Sequence, residues 1–250
     1  MRRSPERPLF HVKICGVTSA ADARLAAEAG ADAVGFNFVA GSPRAIPAGA
    51  AREAVAALPP GVLAVGVFAG LPAAEILAIA ETTGLGAIQL HGHLDPTAAA
   101  ADPPDRCREL AGLAVIRAVR MEDGSLAAAR RWLAEAESAG RLPDMLIVDA
   151  GVPAGTAAGR LGGTGHTVDW EALAREEPLG LPVALAGGLT PATVAAAVRL
   201  AGAEAVDTAS GVETAPGRKD AALTRAFVAA ARTALGLPGS PCAIPPGRLR

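Results

Sequence analysis

The sequence predicts an α/β fold, a single (β/α)8 TIM barrel, on three observations. Short runs rich in branched apolar residues alternate with alanine-rich segments of helical spacing. The alternation supplies eight candidate strands, at roughly 25 to 30 residues per repeat, the size of a barrel unit. Glycine motifs follow the last three runs, where strand-to-helix loops belong. Strict alternation implies parallel strands with right-handed crossovers. Eight repeats suit a closed barrel better than the alternative, a doubly wound open sheet.

The runs are Phe10 to Ile14, Ala33 to Phe38, Leu63 to Phe68, a weak one from Ala87 to Leu90, Ala114 to Val119, Met145 to Asp149, Val183 to Ala186, and Ala205 to Thr208. Helix punctuation lies between them. Thr18 or Ser19 caps the first helix and Gly30 ends it. Pro47, Pro72 and Pro191 fall where a first helical turn tolerates proline. The fourth helix is poorly marked, because Pro103 and Pro104 crowd its start. Asp220 opens the last helix, which runs to about Leu235. No linker or composition break divides residues 1–236, which are assigned to one barrel domain. Residues 237–250, rich in proline and glycine, read as a disordered tail.

Composition narrows the function classes. Apolar residues make up 51% of 250, enough for a sizeable core, although the many helical alanines must lie partly on surfaces. The net charge of -2, the absence of a basic run, and an aromatic content of 3% with no tyrosine argue against a nucleic-acid surface. Cys15, Cys107 and Cys242 are odd in number and far apart, forming neither a disulfide framework nor a zinc pattern. The first residues lack the apolar core of a signal peptide, and no apolar run approaches a membrane span. A cytoplasmic, reduced protein is expected.

In such barrels catalytic groups sit at the C-terminal ends of strands. The Gly162-Gly163, Gly187-Gly188 and Ser210-Gly211 motifs follow the last three runs. Glycine admits close backbone approach, and exposed N–H groups at such turns hold phosphate. Tight turns alone are the plainer explanation, but three such motifs on neighbouring loops favour a phosphate site. Cys15 ends the first run; it is either a small buried hydrophobe or a base. Lys13 lies two residues back, on the same side of the strand, and its ammonium would favour the thiolate. Asp149 ends an apolar strand, where a carboxylate must be paired, hydrogen-bonded or open to a cleft. Arg44 follows the second run and is either a surface cation or a two-pronged holder of a carboxylate. His91 and His93 lack a clear third ligand, so no metal site is expected.

These residues bring a family into view. From about Val12 to Arg232 the chain resembles phosphoribosylanthranilate isomerase. The resemblance runs through Lys13-Ile-Cys-Gly-Val-Thr18, Gly35-Phe-Asn-Phe38, Ser42-Pro-Arg44, Gly66-Val-Phe68, Gln89-Leu-His-Gly92, Asp149, Gly162-Gly-Thr-Gly165 with Asp169-Trp170, Ala186-Gly-Gly-Leu189 and Ser210-Gly-Val-Glu213. It implies a cofactor-free barrel that converts N-(5-phosphoribosyl)anthranilate to 1-(2-carboxyphenylamino)-1-deoxyribulose 5-phosphate by an Amadori rearrangement. It implies Cys15 as general base, Asp149 as general acid, and Arg44 as the clamp on the anthranilate carboxylate. Gly163, Gly187, Gly188, Ser210 and Gly211 fall in the phosphate cradle, Asp207 near the sugar hydroxyls, and Gln89 and His91 among the substrate-binding positions.

Departures from the family pattern are Ala209 in place of a serine, Val168 in place of phenylalanine, and Arg117 in place of lysine. Two rivals stand: a paralogous sugar-phosphate barrel enzyme with a changed substrate, and an inactive phosphate-binding barrel. A further expectation follows from barrel closure, which sets the eighth strand beside the first. Lys13, facing inward, needs a carboxylate, and Asp207 is nearest by topology.

Overall fold

The structure is a computed structural model that describes residues 7–95, 97–98, 100–121, 125–149 and 170–238. Its eight parallel strands close into a barrel: β1 (Val12–Ile14), β2 (Ala33–Asn37), β3 (Leu63–Phe68), β4 (Ala87–Leu90), β5 (Ala114–Arg120), β6 (Met145–Asp149), β7 (Val183–Ala186) and β8 (Ala205–Thr208). Closure comes from pairing of β1 with β8, in which Val12, Lys13 and Ile14 face Val206, Asp207 and Thr208. The expected barrel is thus the observed one.

Alternation along each strand sorts side chains into two cores. Ala33, Val65, Ala87, Ile116, Met145 and Ala205 fill the barrel interior, with Phe10 beneath them. Outward neighbours such as Val34, Ile88, Val115, Leu146 and Val206 pack against the helices. The first run is shorter than expected as a strand. Phe10 lies before β1 and is buried as a plug rather than paired.

The helices between the strands are α1 (Ala20–Ala29), α2 (Ala48–Ala56), α3 (Ala73–Thr83), α4 (Arg106–Glu109), α5 (Ala127–Ser138), α6 (Trp170–Arg175), α7 (Val194–Ala201) and α8 (Ala221–Ala234). Ser19 is the N-cap of α1, accepting from the Asp22 N–H at 3.1 Å, and Gly30 ends it at a φ of 95°. Asp220 caps α8 by accepting from the N–H groups of Ala222 and Leu223. Pro47 and Pro72 sit one position earlier than expected, at the N-caps of α2 and α3. Their extended ψ values of 148° and 144° keep them outside the first turn. Pro191 likewise falls in the turn before α7.

After β8 the chain makes a short 3-10 turn, Ser210–Val212, and a small hairpin of β9 (Glu213–Ala215) and β10 (Arg218–Lys219). The sequence reading did not foresee this hairpin. Pro216-Gly217 turns it, with Gly217 at a φ of 79°. Among the described residues no helix is long and apolar enough to cross a membrane. The proposed tail lies outside the described residues from 239 onward.

Candidate active site

Cys15 follows β1 at the mouth of the barrel and is half-buried. Its N–H donates to the Thr208 carbonyl at 2.8 Å, which holds the end of β1 against β8. The expected ion pair is present: Lys13 Nζ lies 2.9 Å from Asp207 Oδ1, with side-chain exposures of 0% and 10%. Burial works against the Lys13 charge, but Asp207 and Cys15 more than offset it, so the ammonium pKa is raised. Gly35 on β2 makes the room these groups need. A Cβ there would stand 2.7 Å from Cys15 Sγ and 3.1 Å from Lys13 Cε.

The sulfur answers to burial as well as to its charged neighbours. Burial raises the Cys15 thiol pKa, and Asp207 adds to that. Lys13 and Lys219 pull it down, as expected of ammonium groups, but the net direction is upward. Desolvation of the thiolate outweighs its cationic neighbours.

Arg44 lies in the loop after β2, and its stem crosses Gly16, where a Cβ would stand 2.5 Å from Arg44 Cδ. One edge of the guanidinium is engaged within the protein by Glu213. Nε donates to Glu213 Oε1 at 2.9 Å and Nη2 to Oε2 at 2.7 Å. Glu213 Oε1 also accepts from Lys219 Nζ at 2.8 Å and from the Gly217 N–H at 3.2 Å. Lys219 donates in addition to the Ala209 carbonyl at 3.1 Å, so the position that departs from the family contributes its backbone. Burial opposes the Glu213 charge, yet its bonds to Arg44 and Lys219 hold its pKa below the usual carboxylate value. Burial lowers the pKa of Lys219. Lys13, Arg44 and Lys219 against Asp207 and Glu213 leave one net positive charge beside the Cys15 thiol.

Asp149 closes β6 and is half-buried. In a closed eight-stranded ring β6 stands three strands from β1, on the facing wall. Arg120 approaches Asp149 only at 3.9 Å and is itself well exposed. Gln89 is buried on β4; its Nε2 lies 3.5 Å from His91 Nδ1, and its Oε1 has no hydrogen-bond partner among the described residues. The His91 pKa is lowered, first by loss of solvation, with Asp149 and Asp207 opposing and Lys13 and Arg117 assisting. His91 therefore feels charges from both walls of the mouth. Among the described residues no group of three or more His, Cys, Asp or Glu side chains is arranged to hold a metal ion.

The loops after β7 and β8 lie against each other. Gly187 and Gly188 have φ values of 100° and 64°, a region that favours glycine. Gly211 sits so close to the Leu189 carbonyl that no Cβ fits between them. Thr208 Oγ1 donates to that same carbonyl at 2.7 Å, and Ser210 opens the turn beside it. Gly163, the rest of its glycine motif and Val168 lie outside the described residues.

Sequence reasoning passed over a second buried charge cluster. Arg117 faces outward from β5 between the inward Ile116 and Ala118. It donates to the carbonyls of Leu90 at 3.0 Å and Gly92 at 2.8 Å, and lies over the Trp132 ring at 4.9 Å. Asp102, 3.5 Å away, accepts from the N–H groups of Gly70 and Gly92. The pair ties the loops after β3 and β4 together and so fixes the backbone that carries His91. Burial brings the Arg117 pKa down to about 10, with Asp102 opposing. Glu213 and Lys219 were visible only as the ends of a Gly-Val-Glu motif and a Pro-Gly turn; nothing local assigns them to Arg44.

Comparison with known proteins gives a consistent result. The family model described as N-(5'-phosphoribosyl)anthranilate (PRA) isomerase matches residues 12–230. The N-(5'-phosphoribosyl)anthranilate isomerase of Rubrobacter xylanophilus is 44% identical over 223 residues, covering 89% of this chain and 98% of that protein. The crystal structure of phosphoribosyl anthranilate isomerase from Thermotoga maritima superposes with a TM-score of 0.74 at 35% identity, covering 90% of this chain and 99% of that one. A phosphoribosyl anthranilate isomerase in complex with reduced 1-(o-carboxyphenylamino)-1-deoxyribulose 5-phosphate superposes with a TM-score of 0.72 at 32% identity, with the same coverage.

Proposed function

The chain belongs to the N-(5'-phosphoribosyl)anthranilate isomerase family and catalyses that family's aldose-to-ketose rearrangement, and we propose that Cys15 and Asp149 carry the proton transfers. The substrate is N-(5-phosphoribosyl)anthranilate and the product is 1-(2-carboxyphenylamino)-1-deoxyribulose 5-phosphate, a step of tryptophan biosynthesis. As the general acid, Asp149 donates a proton to the furanose ring oxygen. The C1–O bond breaks, the nitrogen lone pair forms the C1–N double bond, and the sugar opens to an iminium. The Cys15 thiolate then takes the proton from C2, and the C2–H electrons pass toward the iminium to give the enolamine. Tautomerisation yields the ketone. The iminium is the electron sink, so one acid and one base suffice.

One observation carries this assignment. Cys15 and Asp149 end strands on facing walls of one mouth, with a net positive cluster on the Cys15 side. Lys13 and Lys219 pull the Cys15 thiol pKa down against the burial that raises it, and the net positive charge suits an anionic substrate. Arg44 receives the anthranilate carboxylate. Gly187, Gly188, Ser210 and Gly211, together with Gly163, receive the phosphate through backbone N–H groups. Gln89 and His91 line the space between, and Asp207 meets the sugar hydroxyls. The reading carries with it a cytoplasmic enzyme without nucleic-acid or membrane partners.

Turnover of freshly prepared phosphoribosylanthranilate by the purified protein tests the assignment. Cys15→Ser and Asp149→Asn should each lower kcat by at least about 10²-fold, the scale of a lost general acid or base. Near-native turnover by either variant, with host isomerase excluded, would remove that residue from its role.

A further inference from the structure

We propose that Glu213 is the positioning residue of the carboxylate clamp, fixing which edge of the Arg44 guanidinium meets the ligand; the inference rests on the reading of Arg44 given above. A guanidinium carries five N–H groups in a planar fork. Glu213 engages one edge of it through Nε and Nη2. The two hydrogens of Nη1 and the second hydrogen of Nη2 remain, and they point away from Glu213 in the same plane. A ligand carboxylate meets Arg44 end-on, through that opposite edge.

Glu213 is itself held. Its side chain is 3% exposed, and it accepts from Lys219, whose side chain is 0% exposed, and from the Gly217 N–H. Lys219 is anchored in turn to the Ala209 carbonyl after β8. At the other end the Arg44 stem rests on Gly16, the residue after Cys15. The side chain is thus fixed at stem and fork before any ligand arrives, so its rotamer entropy is not spent on binding. Charge follows the same logic. A lone Glu213 would cancel Arg44 and repel a second carboxylate, but Lys219 neutralises Glu213 and leaves the Arg44 charge to the ligand.

The test compares two probes by calorimetric titration: reduced 1-(2-carboxyphenylamino)-1-deoxyribulose 5-phosphate, and the same compound without the carboxyl group. Glu213→Gln should weaken the carboxylated probe by about tenfold, the scale of a lost charged hydrogen bond. It should change the decarboxylated probe by less than about twofold. Equal weakening of both probes would assign Glu213 a structural role and overturn the proposal, as would unchanged binding of the carboxylated probe. Arg44→Ala, measured in parallel, separates the two ideas. If it fails to weaken the carboxylated probe selectively, the clamp itself is wrong. If it weakens that probe while Glu213→Gln does not, only the positioning role is wrong. In the Arg44→Ala background Glu213→Gln should add nothing to the loss. Should circular dichroism find the Gln variant unfolded, Glu213→Asp replaces it, since a shortened side chain cannot bridge Arg44 and Lys219 together.

Discussion

Replacing Lys13 with methionine keeps the length of the side chain and removes its charge, which strands Asp207 in the upper barrel. The two groups meet at 2.9 Å, with side-chain exposures of 0% for Lys13 and 10% for Asp207. Removing one partner of a buried pair costs about 3–5 kcal/mol, because the remaining charge has lost its counter-ion. The residual exposure of Asp207 puts the loss near the low end, at about 3 kcal/mol. For a chain of this size, with about 2–4 °C of Tm per kcal/mol, Tm should fall by roughly 6–12 °C. Thermal unfolding followed by circular dichroism at neutral pH measures it. Asp207→Leu and the double variant complete a cycle in which the second change should restore part of the loss. Because the Lys13 pKa is raised, the contribution of the pair is fully present below the unfolded lysine value of about 10.4. It is lost as pH climbs through the folded value. The same variant should alter Cys15. Lys13 pulls the thiol pKa down, so without it the pKa moves further up and iodoacetamide alkylates Cys15 more slowly at pH ~8. A single variant as stable as the parent, or a cycle with no coupling, would refute the buried-pair reasoning. An unchanged alkylation profile would leave Lys13 with a structural role alone.

Two further predictions concern groups away from the acid and base. Arg117→Met should cost about 3–5 kcal/mol in urea unfolding, because Asp102 loses its cation and two carbonyls lose a donor; Arg117→Lys should cost less, and a Met variant of parental stability would show that the pair is dispensable. Cys107 is buried and its thiol pKa is pushed up to about 12. Its contribution to stability is therefore whole below the unfolded thiol value and lost as pH rises from about 9. Cys107→Ala should flatten the alkaline fall in unfolding free energy by up to about 1.4 kcal/mol per pH unit, whatever it does to absolute stability; an identical slope in both proteins would contradict the assignment.

Much of the fold was legible because its signals are local. The Val-Ile-Leu runs, the Ser19 and Asp220 caps and the left-handed Gly30 each act within a few residues, and strand alternation decides whether a side chain faces in or out. That was enough to put Lys13 and Cys15 on one side of β1 and to name Asp207 as the partner once closure was assumed. The small hairpin after β8 was not legible, because strands of three and two residues carry too little pattern to separate from a loop.

By itself, then, the sequence determined the order of strands and helices, the closed ring they make, and the strand ends at which Cys15 and Asp149 sit. Tertiary structure decided what no local pattern named. Arg44 meets Glu213 across 169 positions of chain. The upward shift of the Cys15 thiol comes from burial outweighing Lys13 and Lys219. Pairing and desolvation at one point in space are sums over groups contributed by distant segments. Those sums exist only once the barrel has brought the segments together.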